Sequence, residues 1–271
     1  MGDNYVISEI EKDHILFQLE QNKRSDNREF NQLREVSIET NYVGKAEGSA
    51  VVTLGDTKLI VGVKAILGKP FPDTPDSGVI TTSAELSPLA SPFFESGPPS
   101  VAAIELARVT DRAIRESHSL DLSKLCVIPE KSVWILFIDF YILNDAGNLF
   151  DAAALGAIAA LATAEIPKVK IGEDDEVEIL EEKEPLIINH YPVSVTSYKL
   201  GKHKIFDANF KEERVSDARI TFGFDEDDHI VSVQKGKLGV YTPLEIKEIL
   251  KESLLVSKTL RKELMKALSK K

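Results

Sequence analysis

Between positions 132 and 148 the sequence leaves the chain few choices. Val133-Trp134-Ile135-Leu136-Phe137-Ile138 is apolar at every position rather than at alternate ones. Neither face of such an extended segment favours water, so residues 132–143 are predicted to form a central strand buried on both sides. Asp145-Ala146-Gly147-Asn148 then turns the chain into an alanine-rich helix over 152–164, whose small side chains allow close packing. A buried strand feeding a buried helix points to an α/β fold.

The rest of the chain fills in that frame. Residues 6–21 carry Ile7, Ile10, Ile15, Leu16 and Leu19 among charges and read as an amphipathic helix. From Val36 the period changes to that of strands, over 36–40, 49–54 and 58–66, with Gly55-Asp56 as a hairpin turn. Residues 70–107 hold seven of the 12 prolines, five acids and no Lys or Arg, a rigid anionic region around one strand at 79–86. Pro98-Pro99 opens a helix running to about His118, because proline fits the first helical turn without losing a bond. Between Gly172 and Pro185 lie eight acids and one lysine, a solvated hairpin or linker. Further strands follow at 186–188, 193–198, 204–206, 219–224 and 230–234. Thr242-Pro243-Leu244-Glu245 then opens a last helix as a capping box with proline at its first position. The expected organisation is an N-terminal helix (1–23), a first unit (24–170), an acidic linker or hairpin (171–185) and a second unit (186–271).

Composition removes several classes of function. The single cysteine, Cys126, lies in an apolar run, reads as core and forbids both an internal disulfide and a Cys-paired zinc site. The five histidines show no ligand spacing. There is no GxGxxG, no Gly-Lys followed by Ser or Thr, and no GxSxG, so no cofactor is expected. The N-terminal MGDNYVISEIEKDH has acids where a signal peptide needs a basic flank, and no apolar run is long enough to cross a bilayer. A soluble cytoplasmic protein is expected. With 33 basic and 44 acidic residues, net −11, the surface repels phosphate backbones, so nucleic-acid contact requires a local basic cluster or a basic partner.

Four stretches carry a resemblance: Arg24-Ser25-Asp26-Asn27-Arg28 with Arg34 beyond; Gly48-Ser49-Ala50-Val51-Val52 running into Gly55-Asp56-Thr57; residues 105–115, from Glu105-Leu106-Ala107-Arg108 to Arg112-Ala113-Ile114-Arg115; and Asp207-Ala208-Asn209-Phe210-Lys211-Glu212-Glu213. In this order, over roughly residues 24–250, the chain resembles the RNase PH family, exoribonucleases that shorten RNA from its 3′ end with phosphate. Two more stretches, Phe94-Glu95-Ser96-Gly97-Pro98-Pro99 and Gly147-Asn148-Leu149-Phe150-Asp151-Ala152, are similar to the non-catalytic ring subunit of the archaeal exosome. The resemblance implies an RNase PH-like fold of two units of mixed sheet with helices. It also implies a hexameric ring in which three copies alternate with three of a catalytic paralogue.

Charge separates the two kinds of subunit. Phosphorolysis must gather an inorganic phosphate beside a phosphodiester, which demands arginines and main-chain N–H groups. Active relatives carry such arginines in the loop before the first long helix and in the turn before the small-residue helix. Here the first loop has no basic residue, and Phe150 stands at the second position, next to Asp151. The family's metal-binding aspartate pair corresponds to Asp207 and Glu213, a carboxylate pair without a phosphate clamp. The chain is therefore expected to be catalytically inactive, with no catalytic residue and no metal.

Arg108, Arg112 and Arg115 fall within roughly 60° of one another on one helix face. Spacing alone leaves two readings: a stripe neutralised by Glu105, Asp111 and Glu116, or a cationic face for phosphates. The resemblance implies the second, with these arginines lent to RNA in the neighbouring catalytic site, and Val101 and Ile104 beside them as a partner contact. Arg24, Arg28 and Arg34 either approach RNA or form a salt-bridged surface, and Asp139 reads as a buried, hydrogen-bonded acid. The function so implied is a structural, RNA-contacting ring subunit, its partners the catalytic paralogue, RNA-binding cap proteins and single-stranded RNA. The alternative is a phosphorolytic 3′-to-5′ exoribonuclease in its own right.

Overall fold

The computed structural model describes residues 9–269. Helix α1 (Glu9–Glu20) comes first. The expected helix began at Val6, but residues 6–8 lie outside the described residues. Ile15 and Leu19 are buried against the second half of the chain, while Ile10 faces solvent. Strands β1 (Val36–Thr40), β2 (Gly48–Leu54) and β3 (Thr57–Gly68) follow as an antiparallel meander. Gly55, at φ +57, makes the tight turn that the sequence marks. Strand β4 (Val79–Glu85) precedes α2 (Val101–Glu116). The two prolines do not form the first turn of α2. They lie before its cap, Ser100, whose side chain accepts the Ala103 N–H.

Short β5 (Cys126–Ile128) leads into β6 (Ser132–Asn144), the strand that organises the first sheet. The order is β1-β2-β3-β6-β4, with β4 parallel to β6 and β5 pairing at its start. Burial on both faces of β6 is not realised. Val133, Leu136, Ile138, Phe140 and Ile142 are buried, but Ile135, Phe137 and Asp139 are half-exposed and Tyr141 is 49% exposed. From Trp134 to Ile142 buried and more exposed positions alternate, so one face of this strand is covered and the other is open. Asp139 is on the outer side, accepting from Ser83 Oγ at 2.6 Å, and Cys126 is half-buried at the edge.

Helix α3 (Leu149–Ala162) is buried at every residue from Phe150 to Leu161. It lies between β2 and β3 on one side and the second sheet on the other, which is why alanine and glycine dominate it. A Cβ on Gly156 would sit 2.5 Å from Val61 Cγ2. Strands β7 (Glu165–Ile171) and β8 (Val177–Pro185) pair as a hairpin whose acidic residues are exposed. The expected strand at 186–188 is absent: Leu186 donates to Ala164 O and the chain passes between layers as a connection.

The second sheet is β9 (Val193–Leu200), β10 (His203–Phe206), β11 (Ala218–Phe224) and β12 (Ile230–Gly236), in the order β10-β9-β11-β12, with helix α4 (Phe210–Val215) between β10 and β11. Helix α5 (Pro243–Leu268) starts with the expected capping box, Thr242 and Glu245 reciprocally bonded. Helices α2, α3 and α5 form the middle layer. α2 rests on β4 and β12, and α5 lies at the opposite edge against β1. One hydrophobic core runs through both sheets and the helices between them. No helix among the described residues is long and apolar enough to cross a membrane.

Candidate functional site

Two polar regions flank the buried middle layer. The first is the outer face of α2. Its inner face, with Leu106, Val109, Ala113 and Ile114, is buried, and this fixes the rotation that points Arg108, Arg112 and Arg115 outward. The three differ in their partners. Arg115 is bound most firmly, Nη2 donating to Asp111 Oδ1 at 2.8 Å and to Ile80 O at 3.1 Å. Arg108 is 70% exposed and stands 4.0 Å from the same Asp111. Arg112 is exposed and donates from Nη1 to the amide oxygen of Gln234 at 3.4 Å. Among the described residues it makes no ion pair with a carboxylate within 4.0 Å.

One acid therefore serves two of the arginines. Glu105, expected to help neutralise them, is instead bound to Arg219 of β11 at 2.5 Å. Val101 and Ile104, one turn up the same face, are 79% and 53% exposed.

The second region surrounds the N-terminus of α3. Asn148 adopts a left-handed conformation (φ 59, ψ 46) and its side chain does not cap the helix. Its backbone N–H donates 2.7 Å to Glu213 Oε2, from α4. A carboxylate from elsewhere in the chain thus occupies the positive end of α3, where an anion is favoured. Asn148 Nδ2 bridges Asp151 Oδ2 (2.8 Å) and Asp207 Oδ1 (2.9 Å). Asp151 also accepts the N–H and hydroxyl of Thr196. Complete burial pushes its carboxyl up to about 7 against those hydrogen bonds. Asp145, at the turn before α3, is pushed up to about 6 by burial and by the charge of Glu213.

Asp207 is buried yet ionised. Burial would raise its pKa, but hydrogen bonds and charge from Arg34, with Arg28, hold it below the ordinary carboxylate value. Arg34 binds Oδ1 at 2.6 Å and Arg28 binds Oδ2 at 2.9 Å. Both oxygens of Asp207 are taken and Glu213 is committed to the helix end, so the pair does not fit a divalent cation. Among the described residues no group of three or more His, Cys, Asp or Glu is placed to hold a metal ion. Arg24 is fully buried against Glu212, with bonds of 3.0 and 2.6 Å. Arg24, Arg28 and Arg34 are salt-bridged, but against buried acids in the interior rather than on the expected surface.

Phe150 lies at the first turn of α3, buried beneath Arg219, whose guanidinium carbon is 3.9 Å from the ring centroid. Phe93, from the proline-rich loop, stacks on Phe210, and Arg214 lies over both rings. The sequence singled out neither Arg219 nor Arg214. Arg219 meets Phe150, and Arg214 meets Phe93, across long stretches of chain that no local spacing signals, whereas Phe210 precedes Arg214 by only four residues on α4.

Comparison with known proteins bears on the chain as a whole. Residues 32–167 match the model of the 3′ exoribonuclease family, domain 1, and residues 190–254 that of the same family's domain 2. The chain is 49% identical over 271 residues to exosome complex component Rrp42 of Thermococcus kodakarensis, covering 100% of both chains. It is 47% identical to the protein of the same name from Pyrococcus horikoshii, covering 100% of this chain and 99% of that one. Among solved structures, a chain of the Archaeoglobus fulgidus exosome with RNA bound to the active site superposes with a TM-score of 0.87 at 45% identity, over 94% of this chain and 97% of that one. A chain of an archaeal exosome core gives 0.83 at 41%, over 94% and 96%.

Proposed function

Since this chain belongs to the 3′ exoribonuclease (RNase PH) family, we propose that it is the non-catalytic, RNA-contacting subunit of an exosome ring that degrades RNA from its 3′ end by phosphorolysis. In this reading it alternates with a catalytic paralogue, three copies of each, in the cytoplasm, with RNA-binding proteins capping the ring. The acidic hairpin marks the junction of its two units, 24–170 and 186–271.

The observation that carries the inactive assignment is the state of the polar cluster at the N-terminus of α3. An inorganic phosphate needs unpaired guanidiniums or free N–H groups. Here Arg28 and Arg34 are spent on Asp207, and the Asn148 N–H is spent on Glu213. Phe150 supplies no charge at the position where the resemblance implies an arginine. The names of the relatives support membership of an exosome, and the structure with RNA in its active site supports an RNA path through such an assembly.

The contribution to RNA comes from α2. Arg112 keeps an uncompensated guanidinium at the surface, and Arg108 and Arg115 add weaker positive charge on either side. On a chain of net charge −11 this is a local cationic stripe, suited to phosphates already held by a partner rather than to capture of RNA by the isolated subunit.

The test is phosphate-dependent release of nucleoside diphosphates from a labelled single-stranded RNA. The expected outcome is no release by this chain alone, and release by its mixture with the paralogue exceeding that of the paralogue alone. Robust release by the purified chain would overturn the assignment in favour of a phosphorolytic enzyme.

A further inference from the structure

The arginine face of α2 contains a carboxylate of its own. Glu105 precedes Arg108 by three residues, the spacing at which a glutamate and an arginine ordinarily pair on a helix surface. It also points along the side that carries Arg112. Paired in this way, Glu105 would cancel much of the charge the stripe offers to RNA.

The fold prevents it. Glu105 Oε1 accepts from Arg219 Nη2 at 2.5 Å, and the Arg219 side chain is only 8% exposed. Arg219 is seated on the ring of Phe150, 3.9 Å from its centroid, the stacked arrangement that a planar guanidinium favours and an ammonium does not reproduce. The neighbouring strand leaves room for it: a Cβ on Gly236 would lie 2.5 Å from Arg219 Nη2. Gln234, also on β12, fills the gap between the two charges. Its amide nitrogen donates to Glu105 Oε1 and its amide oxygen accepts from Arg112, both at 3.4 Å. Arg112 is thus oriented by a neutral group, while the charge of Glu105 is neutralised from beneath.

We infer that Arg219, seated on Phe150, is a positioning residue for the RNA contact: it diverts Glu105 from the α2 stripe and so keeps Arg112 available to phosphate. The inference rests on the reading that Arg112 contacts RNA. It gives Phe150 a constructive role, since the aromatic side chain at the position of the missing arginine provides the seat for Arg219. Removing the diversion should let Glu105 fall back on Arg108 and Arg112, and RNA affinity should drop although Arg219 itself never reaches solvent.

The test uses the complete complex of this chain with the catalytic paralogue and a fluorescent single-stranded RNA, in phosphate-free buffer over a range of salt. Arg112→Ala is expected to weaken binding about five- to tenfold and lower the salt slope by about one. Arg219→Gln is expected to weaken it by a similar factor, Glu105→Gln to leave it near wild type, and the Arg219→Gln, Glu105→Gln double variant to restore it. A purely structural role for Arg219 gives no rescue by a second neutralisation. If Arg219→Gln fails to assemble, Phe150→Leu keeps the apolar volume, removes the seat, and should show the same loss with the same rescue by Glu105→Gln. Wild-type affinity in a well-assembled Arg219→Gln complex, or a double variant as weak as the single, overturns the inference while Arg112→Ala remains defective. No effect of Arg112→Ala overturns the underlying reading, and the inference with it.

Discussion

Arg24, Arg28 and Arg34 lie within eleven residues of one another and end with their guanidiniums on the buried acids Glu212 and Asp207. Arg108, Arg112 and Arg115 lie within eight residues on α2, share Asp111 between two of them, and leave Arg112 without a carboxylate partner among the described residues. The two groups have similar sequence signatures, arginines among acids, and opposite uses. In the first, partners arrive from α4 and the loop before it, and every charge is consumed in holding the two halves of the chain together. In the second, Asp111 stays with Arg108 and Arg115, while Glu105 is taken from below by Arg219. What an arginine can do is therefore set by which carboxylate the fold delivers to it.

The largest effect that would sharpen this contrast comes from breaking the buried pair. Arg24→Ala strands Glu212 in the interior and should cost about 3–5 kcal/mol in urea unfolding, whereas Arg112→Ala should leave stability unchanged within about 0.5 kcal/mol. Equal stability losses for the two variants would erase the distinction. On RNA binding the order reverses: Arg112→Ala in the assembled complex should lose about 1 kcal/mol, and a destabilised but folded first-group variant should lose none. Arg115→Ala should show a mixture of the two, losing about 0.5–1 kcal/mol of stability with its bonds to Asp111 and Ile80 O, and less RNA affinity than Arg112→Ala.

A smaller effect tests the electrostatics of the polar cluster at the N-terminus of α3. The carboxyl of Asp145 is raised from its ordinary value of 3.8 to about 6, so the folded chain holds that proton more tightly than the unfolded one. Its stabilising contribution is complete below about pH 4 and is lost as the pH rises through 6. Asp145→Asn removes the titration, so the stability of wild type relative to this variant should fall between about pH 4 and pH 7. A difference independent of pH would mean that neither burial nor the charge of Glu213 raises the Asp145 carboxyl.

Local chemistry announced much of the framework. The Gly55 hairpin, the capping box of α5 and the small-residue helix α3 all follow from short-range rules, because each feature satisfies its own backbone or leaves its own space. The prediction of two-sided burial for β6 failed because an unbroken apolar run specifies a strand without specifying what covers each face. Here Ile135, Phe137 and Tyr141 lie on the more exposed face of the strand. The arginine face was legible from its spacing on α2. The release of that face was not, since i,i+3 pairing predicts Glu105 with Arg108, and its actual partner is 114 residues away.

The sequence by itself determined the family, the alternation of strands and helices, the absence of Lys and Arg from residues 70–107 and the angular position of Arg108, Arg112 and Arg115, all of which depend on residues close together in the chain. Only the tertiary structure decided which of these charges are used up. Ion pairing in a buried or half-buried setting depends on distances of a few ångströms, and between Arg24 and Glu212, Arg34 and Asp207, or Glu105 and Arg219 those distances exist only after the two sheets have closed over α3.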